Sequence, residues 1–131
     1  MRAEIESSEG YAVREPIVVH VDHVEIRPLE CQVFLHGRRV SLTVREFEVF
    51  WALAQRADRV VQRDELYSVV WGGVMRNRDR CVDVFVRKLR GKLRAQSPGW
   101  IYIHTHFGVG YRFGPERAAP LPGETVADPL S

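Results

Sequence analysis

Hydrophobic and polar residues alternate along the first part of the chain. In residues 17–42, IVVHVDHVEIRPLECQVFLHGRRVSL, β-branched and aromatic side chains alternate with polar ones. Such a two-residue period is typical of strands that bury one face. Breaks at Pro28–Glu30 and at His36-Gly37 divide the pattern. The sequence therefore predicts a small antiparallel meander with one half-buried face.

The period then changes from strand to helix. In LTVREFEVFWALAQ, Thr43 and Glu46 form a T-x-x-E capping box, a pattern with which many helices begin. Four apolar positions follow at helical spacing: Phe47, Phe50, Trp51 and Ala54. This pattern predicts a first helix of about fourteen residues.

Two further helical patterns follow. The segment RDELYSVVW has apolar residues at Leu66, Val69 and Val70, and Gly72-Gly73 ends it, as glycine usually ends a helix. After the polar stretch VMRNRDR, the segment DRCVDVFVRKLRGKL predicts a third helix. The SPG triplet at residues 97–99 ends this helix.

The last patterned segment, WIYIHTHFGVGYRF, alternates like a pair of strands with a turn at residues 107–110. The order of strands, helices and hairpin predicts an α+β fold with an N-terminal antiparallel sheet, a three-helix core and a C-terminal β-hairpin. We assign residues 17–114 to one domain. The acidic segment 1–16 and the Pro-, Ala-, Gly- and Glu-rich segment 115–131 are expected to be flexible termini.

The third helix is predicted to have two faces of opposite character. On a helical wheel, one narrow arc is apolar, and the opposite arc is basic apart from one valine. The apolar arc, which is expected to face the core, holds Val82, Val86, Leu89 and Leu93, with Phe85 at its edge. The basic arc holds Arg80, Val84, Arg87, Lys88 and Arg94, with Asp83 and Arg90 on its border.

Positive charge is concentrated around this helix. Residues 76–112 contain nine basic and two acidic residues, although the whole chain has a net charge of only +2. Because cations at this density repel one another, they favour a negative partner. An α-helix fits the major groove of B-form DNA, where arginine can pair with guanine and a small apolar side chain can touch a thymine methyl group. Val84 either touches a base in this way or packs on a neighbouring loop.

Four segments resemble, in order and spacing, the winged helix-turn-helix DNA-binding domain of OmpR/PhoB-type response regulators. They are LTVREFEVFWALAQ, RVVQRDELYSVVW, DRCVDVFVRKLRGKL and HTHFGVGYRF, and the resemblance extends from His23 to Phe113. It implies that the third helix enters the major groove of double-stranded DNA and that the hairpin, called the wing, meets the minor groove and the backbone. It also implies that one loop touches RNA polymerase: Gly73, Val74, Met75, Arg76, Asn77 and Arg78.

The resemblance further implies which side chains meet the DNA. On the third helix these are Arg80 and Cys81 at its start, Val84, Arg87 and Lys88 facing the groove, and Arg90 one turn further along the backbone. Trp71 either lies against the phosphate-sugar chain or packs in the core. Thr105 matches a wing threonine that can donate a hydrogen bond to a phosphate.

Phe107 departs from the family pattern. Many relatives have an arginine before the wing glycine, and that arginine reaches into the minor groove and favours narrow A/T-rich stretches. Here the cation is missing, which puts such readout in doubt. Our hypothesis is that Phe107 packs against sugar or backbone. The alternative is that it folds back onto the domain.

Other chemistry is not indicated. His104 and His106 share one strand face, but two imidazoles do not complete a zinc site, so we expect no metal and no cofactor. Without a nucleophile elbow, P-loop, HExxH motif or paired carboxylates, we predict no enzyme activity. Cys31 and Cys81 suit free thiols in the cytoplasm, and no apolar run is long enough to span a membrane.

A response regulator would have a receiver domain before this one, and residues 1–16 cannot supply it. The chain is therefore either a single-domain regulator or the effector domain of a longer chain. Pairing on direct-repeat sites would then depend on domain contacts or operator spacing. The leading prediction is a sequence-specific transcriptional regulator, and the alternative is a winged-helix protein-interaction module with an acidic partner.

Overall fold

The N-terminal segment forms a four-stranded antiparallel sheet. The structure, a computed structural model, describes residues 18–118. Strands β1 (Val19–Val21), β2 (Val24–Arg27), β3 (Gln32–Leu35) and β4 (Arg38–Val40) pair in that order. A 3-10 turn at Pro28–Glu30 separates β2 from β3, and His36-Gly37, both at positive φ, form the turn before β4. The predicted meander is confirmed.

One face of this sheet is buried against the rest of the domain. Val24, Ile26, Val33 and Leu35 have no solvent exposure. They alternate with half-buried Glu25, Arg27, Gln32 and Phe34. Successive strand residues point to opposite faces, so the period-two pattern of the sequence corresponds to one inner and one outer face.

The first helix, α1 (Val44–Ala54), begins at the predicted capping box. The Thr43 hydroxyl accepts from the backbone N–H of Glu46 at 3.2 Å, and the Glu46 carboxylate accepts from the N–H of Thr43 at 2.9 Å. The helix has 11 residues, shorter than the predicted length of about fourteen. It is shorter because Thr43 caps the helix from outside, and because the chain turns after Gln55 toward Asp58, which has a φ of +65°.

The other helices are α2 (Arg63–Val70) and α3 (Cys81–Gln96). α2 ends where predicted, before Gly72 and Gly73, whose φ values are +81° and +79° and so favour glycine. Val69, one of the apolar residues whose spacing predicted this helix, is 47% exposed and does not pack in the core. Leu66 is the buried residue of this helix. With 8 residues, α2 makes only about two turns and presents little surface to the core.

The C-terminal segment forms a second sheet. The predicted hairpin is present as β6 (Trp100–His106) and β7 (Gly110–Arg117), and β5 (Val61–Gln62) pairs with β7. Two residues are too few to show a period, so β5 has no signature in the sequence. Because Trp100 pairs with Arg117, the domain extends beyond residue 114, and Pro115–Arg117 are strand rather than tail. Residues 1–17 and 119–131, which include most of both predicted flexible termini, lie outside the described residues.

Both sheets and all three helices contribute to one core. The rings of Phe50 and Phe113 meet edge to face at 5.3 Å and join α1 to β7. Phe50, Phe113, Leu53, Leu66 and Leu89 are fully buried. Within residues 18–118, no helix has the length and apolar character needed to cross a membrane.

The backbones of β5 and β7 lie very close together at Gly110. A Cβ atom added to Gly110 would lie 1.9 Å from the carbonyl oxygen of Val61. Only glycine fits at this distance. The contact fixes the base of the wing against the start of α2, since Val61 lies two residues before Arg63.

Candidate nucleic-acid interface

α3 has the two faces that its sequence predicts. Val82, Val86, Leu89 and Leu93 are at most 2% exposed and pack in the core. Arg80, Arg87, Lys88 and Arg94 are exposed. Among residues 18–118, no carboxylate forms a salt bridge with any of these four. We call Arg80, Val84, Arg87, Lys88 and Arg94 the basic face. Since no described carboxylate neutralises these cations, the basic face can bind a negatively charged partner.

Val84 and Cys81 are half-buried beside these cations. Burial raises the pKa of the Cys81 thiol, and the carboxylate of Asp79 raises it further. The thiol therefore stays protonated near neutral pH and offers a small, weakly polar surface. Asp79 also accepts a 2.8 Å hydrogen bond from the backbone N–H of Cys81. The Asp79 side chain thus satisfies one of the free amide groups at the start of α3.

Asp83 connects α3 with α2 and with the wing. Its carboxylate accepts a 2.8 Å hydrogen bond from Nε of Arg63 and a short one from the Tyr111 hydroxyl. Burial raises the pKa of Asp83, but the hydrogen bonds from Tyr111 and Arg63 outweigh burial, and the pKa lies below its ordinary value. Asp83 is therefore ionised at neutral pH and fixes the orientation of α3.

Arg90 points toward the wing. Its Nη2 donates to the carbonyl oxygen of Ile103 at 2.8 Å and to the hydroxyl of Thr105 at 2.6 Å. Its Nε donates to the same Ile103 carbonyl at 3.2 Å, and its guanidinium lies 5.4 Å from the centre of the Tyr111 ring. Burial lowers the pKa of Arg90 from its ordinary value. This side chain, predicted to meet the DNA backbone, is thus engaged within the domain.

Lys92 also points away from the basic face. Its ammonium donates to the carboxylate of Glu46 at 2.6 Å, and the Glu46 side chain is 4% exposed. Lys92 was part of the charge-rich segment that indicated a polyanion partner, yet its charge is neutralised by α1. The cations available on α3 are therefore fewer than the sequence count implies.

Trp71 packs among aromatic and cationic neighbours. Its ring stacks on Tyr67 with centroids 5.4 Å apart, meets Phe85 edge to face at 5.4 Å, and lies 5.2 Å from the guanidinium of Arg45. Arg45 also donates to the carbonyl oxygen of Val70 at 2.8 Å. The half-buried ring therefore joins the end of α2 to α3 and keeps part of its surface exposed.

The wing tip is exposed and apolar. Phe107 is 91% exposed and Val109 is 49% exposed, so Phe107 does not fold back onto the domain. His106 accepts a 3.1 Å hydrogen bond from Nε of Arg112, and His104 donates to the carbonyl oxygen of Gly114 at 2.7 Å. Among the described residues, no group of three or more His, Cys, Asp or Glu side chains could hold a metal ion.

The loop between α2 and α3 projects from the domain. Val74 is 89% exposed, Met75 is half-buried, and Arg76, Asn77 and Arg78 are exposed. The hydroxyl of Ser68 donates to the carbonyl oxygen of Gly73 at 2.8 Å, which ties the start of the loop to α2. The segment predicted to touch RNA polymerase is therefore accessible.

Two residues that support this surface, Arg63 and Tyr111, were missed in the sequence. Arg63, Asp83 and Tyr111 meet from three different elements, and Arg63 lies twenty positions from Asp83. No local period connects such residues. Asp83 alone gave a signal, as an acidic residue on the border of a basic arc.

Comparisons with known proteins agree with this geometry. Residues 37–113 match the family described as "Transcriptional regulatory protein, C terminal", a class of regulators rather than of enzymes. The alkaline phosphatase synthesis transcriptional regulatory protein SphR of Synechococcus elongatus is 31% identical over 113 residues, which cover 86% of this chain and 44% of SphR. The chain thus spans less than half the length of this relative.

Solved structures show the same architecture. The DNA-binding domain of Klebsiella pneumoniae RstA, in complex with the RstA box, has a TM-score of 0.66 and 34% identity, covering 73% of this chain and 95% of that one. The DNA-binding domain of CpxR from E. coli has a TM-score of 0.66 and 29% identity, covering 74% and 95%. The chain has the winged helix-turn-helix fold and belongs to the family of transcriptional regulatory protein C-terminal domains, the OmpR/PhoB-type effector domains.

Proposed function

We propose that this chain binds double-stranded DNA sequence-specifically and regulates transcription, with α3 in the major groove and the wing at the minor groove and backbone. The observation that carries the proposal is the basic face of α3, which is exposed while the opposite side of the same helix is buried. The RstA domain supports it as a relative of the same fold bound to DNA.

The dimensions of α3 suit this role. A helix with its side chains is about 10–12 Å wide, and the major groove is about 12 Å wide. Arg87 and Lys88 would reach base edges and phosphates. Val84 and Cys81 would contact apolar groups of the bases, such as a thymine methyl group. Arg80 and Arg94 lie about 21 Å apart at a rise of 1.5 Å per residue, so they would contact phosphates at the two ends of the helix.

The wing would add contacts outside the major groove. The hydroxyl of Thr105 would donate to a phosphate, and Phe107 would pack against a sugar, since its ring is almost fully exposed. Trp71 is half-buried and would offer its remaining edge to the backbone. Because the wing tip has no cation, we expect weak preference for narrow A/T-rich minor grooves.

The proposal includes two partners beyond DNA. The loop from Gly73 to Arg78 would touch RNA polymerase, and its exposed valine and arginines support a protein contact. A second copy of the domain would bind the adjacent half of a direct-repeat site. This regulation would take place in the cytoplasm, a reducing compartment that suits the two isolated cysteines.

Selection of bound sites from a random duplex library tests the proposal. A recovered consensus would identify the operator sequence. Two copies of the consensus at a fixed spacing would indicate that two domains bind as a pair. A pool that stays random after repeated rounds would contradict sequence-specific binding. Salt-dependent capture of acidic proteins by the same domain, without a DNA consensus, would favour the interaction module instead.

A further inference from the structure

Arg90 joins α3 to β6 through three hydrogen bonds. Two go to the carbonyl oxygen of Ile103, at 2.8 and 3.2 Å, and the third goes to the hydroxyl oxygen of Thr105 at 2.6 Å. Both acceptors lie on the strand that leads into the wing. The guanidinium thus lies between α3 and the side chain of Thr105, which is expected to touch a phosphate.

The direction of the bond to Thr105 follows from the chemistry of the two groups. A guanidinium has only donors, whereas a hydroxyl has one proton and two lone pairs. Because Thr105 Oγ1 must accept from Arg90, its own proton is left for another acceptor. The positive charge also polarises the hydroxyl, which makes it a stronger donor.

The surroundings keep the guanidinium in this position. It lies 5.4 Å from the centre of the Tyr111 ring, and the Tyr111 hydroxyl is hydrogen-bonded to Asp83. For Arg90 to reach a phosphate directly, it would have to give up three hydrogen bonds and this cation–π contact. A phosphate contact through Thr105 requires no such rearrangement.

We propose that Arg90 is a positioning residue, which orients the Thr105 hydroxyl so that its proton points to a DNA phosphate. The inference rests on the proposed DNA-binding function and replaces the direct backbone contact expected for Arg90. It assigns the contact itself to Thr105.

A double-mutant cycle tests the inference on the duplex recovered by selection. Thr105→Val removes the hydroxyl at constant shape, and Arg90→Met removes the guanidinium but keeps an unbranched chain beside Tyr111. Each single variant should bind the duplex about tenfold more weakly, the effect expected for loss of one charge-assisted hydrogen bond. The double variant should bind no more weakly than either single one. Additive losses would overturn the inference, because Arg90 would then act independently of Thr105.

A phosphate scan separates positioning from a merely structural role. In duplexes with one uncharged methylphosphonate at each backbone position in turn, one position should weaken wild-type binding and leave Thr105→Val and Arg90→Met unaffected. Thr105→Ser should restore the sensitivity. If Arg90→Met stays sensitive at the phosphate where Thr105→Val is not, the inference fails.

A further measurement uses the unaltered protein and so does not depend on the folding of any variant. The Nε–H of Arg90, observed by NMR with labelled arginine, should exchange slowly and keep its chemical shift when the duplex is added, while that of Arg87 moves. A large shift at Arg90 would indicate direct contact and overturn the inference. Absence of binding by wild-type protein would instead refute the proposed function.

Discussion

The carboxylate of Glu46, in the first turn of α1, accepts a 2.6 Å hydrogen bond from the ammonium of Lys92, near the end of α3. Burial raises the pKa of Glu46, but the hydrogen bonds from Lys92 and Thr43 outweigh burial, and the pKa lies below its ordinary value of 4.5. Glu46 is therefore ionised at neutral pH. The pair fixes the end of α3 against α1 and so sets how the basic face is presented.

Lys92→Met should lower the free energy of unfolding by about 1–3 kcal/mol, because it leaves a buried carboxylate without its cation. Glu46→Gln should cost less, since glutamine can still complete the capping box with Thr43. Urea unfolding at neutral pH measures both. A Lys92→Met variant as stable as wild type would show that the ion pair does not contribute.

The ion pair between Glu46 and Lys92 should make the stability of the fold depend on pH. The folded-state pKa of Glu46 lies below the ordinary value of 4.5, so the unfolded chain takes up this proton first as the pH falls. The stabilisation is complete above pH 4.5 and is lost as the pH falls through the folded pKa. The stability difference between wild type and Glu46→Gln should therefore shrink as the pH falls below 4.5. An unchanged difference would show that Glu46 is not the source of the pH dependence.

Two glycine substitutions should have opposite effects. Gly110→Ala places a Cβ atom 1.9 Å from the Val61 carbonyl oxygen, so β5 and β7 must separate and stability should fall by about 1–3 kcal/mol. Gly91→Ala, on α3 with nothing within 4 Å of the new atom, should raise stability by about 0.5–1 kcal/mol. Thermal unfolding of both variants checks this, and similar effects of the two would refute the close approach at Gly110.

A histidine pair should add a second pH dependence. The rings of His23 and His36 stack with centroids 3.8 Å apart, and His23 also contacts Tyr102 and Trp100. Burial lowers the pKa of His23, and His36 lowers it further, while Asp22 raises it. The folded state thus holds His23 neutral to a lower pH than the unfolded chain does.

Stability should therefore fall as the pH drops below 6.5, the ordinary pKa of histidine, because the unfolded chain binds the proton first. His23→Gln should flatten this part of the profile. His20→Gln, at an exposed position on β1, is the matched control and should keep the wild-type profile. Chemical unfolding at several pH values measures the effect, and a wild-type slope retained by His23→Gln would exclude this histidine as its source.

Phe107→Arg should tighten binding to sites flanked by A/T-rich sequence, because it supplies the cation that narrow minor grooves attract. The fold should not change, since Phe107 is 91% exposed. Competition between A/T- and G/C-flanked duplexes measures the preference. Equal affinities and flank preference in the variant and wild type would mean that the wing tip does not enter the groove.

The sequence was sufficient where the information is local. The apolar positions of α3 from Val82 to Leu93 repeat with the helical period, and the Thr43–Glu46 capping box lies within one turn. Both features were predicted correctly. The same holds for the N-terminal meander, whose strands are joined by short turns.

Contacts between distant segments could not be predicted. Arg90 and Lys92 both belong to the charge-rich segment 76–112, yet their partners Thr105 and Glu46 lie 15 and 46 positions away. A helical wheel shows on which side a residue lies, but a long side chain can bend toward a partner on another element. The count of nine basic residues in 76–112 therefore overestimated the number of cations available to DNA.

The salt dependence of duplex affinity shows whether the exposed basic face of α3 binds DNA. Wild-type affinity for the selected site should fall steeply with salt, and Arg87→Ala and Lys88→Ala should each weaken binding about tenfold or more with the fold intact. Arg39→Ala, an exposed arginine on β4, should bind like wild type. Affinity that is independent of salt, or equal in all four proteins, would contradict the account.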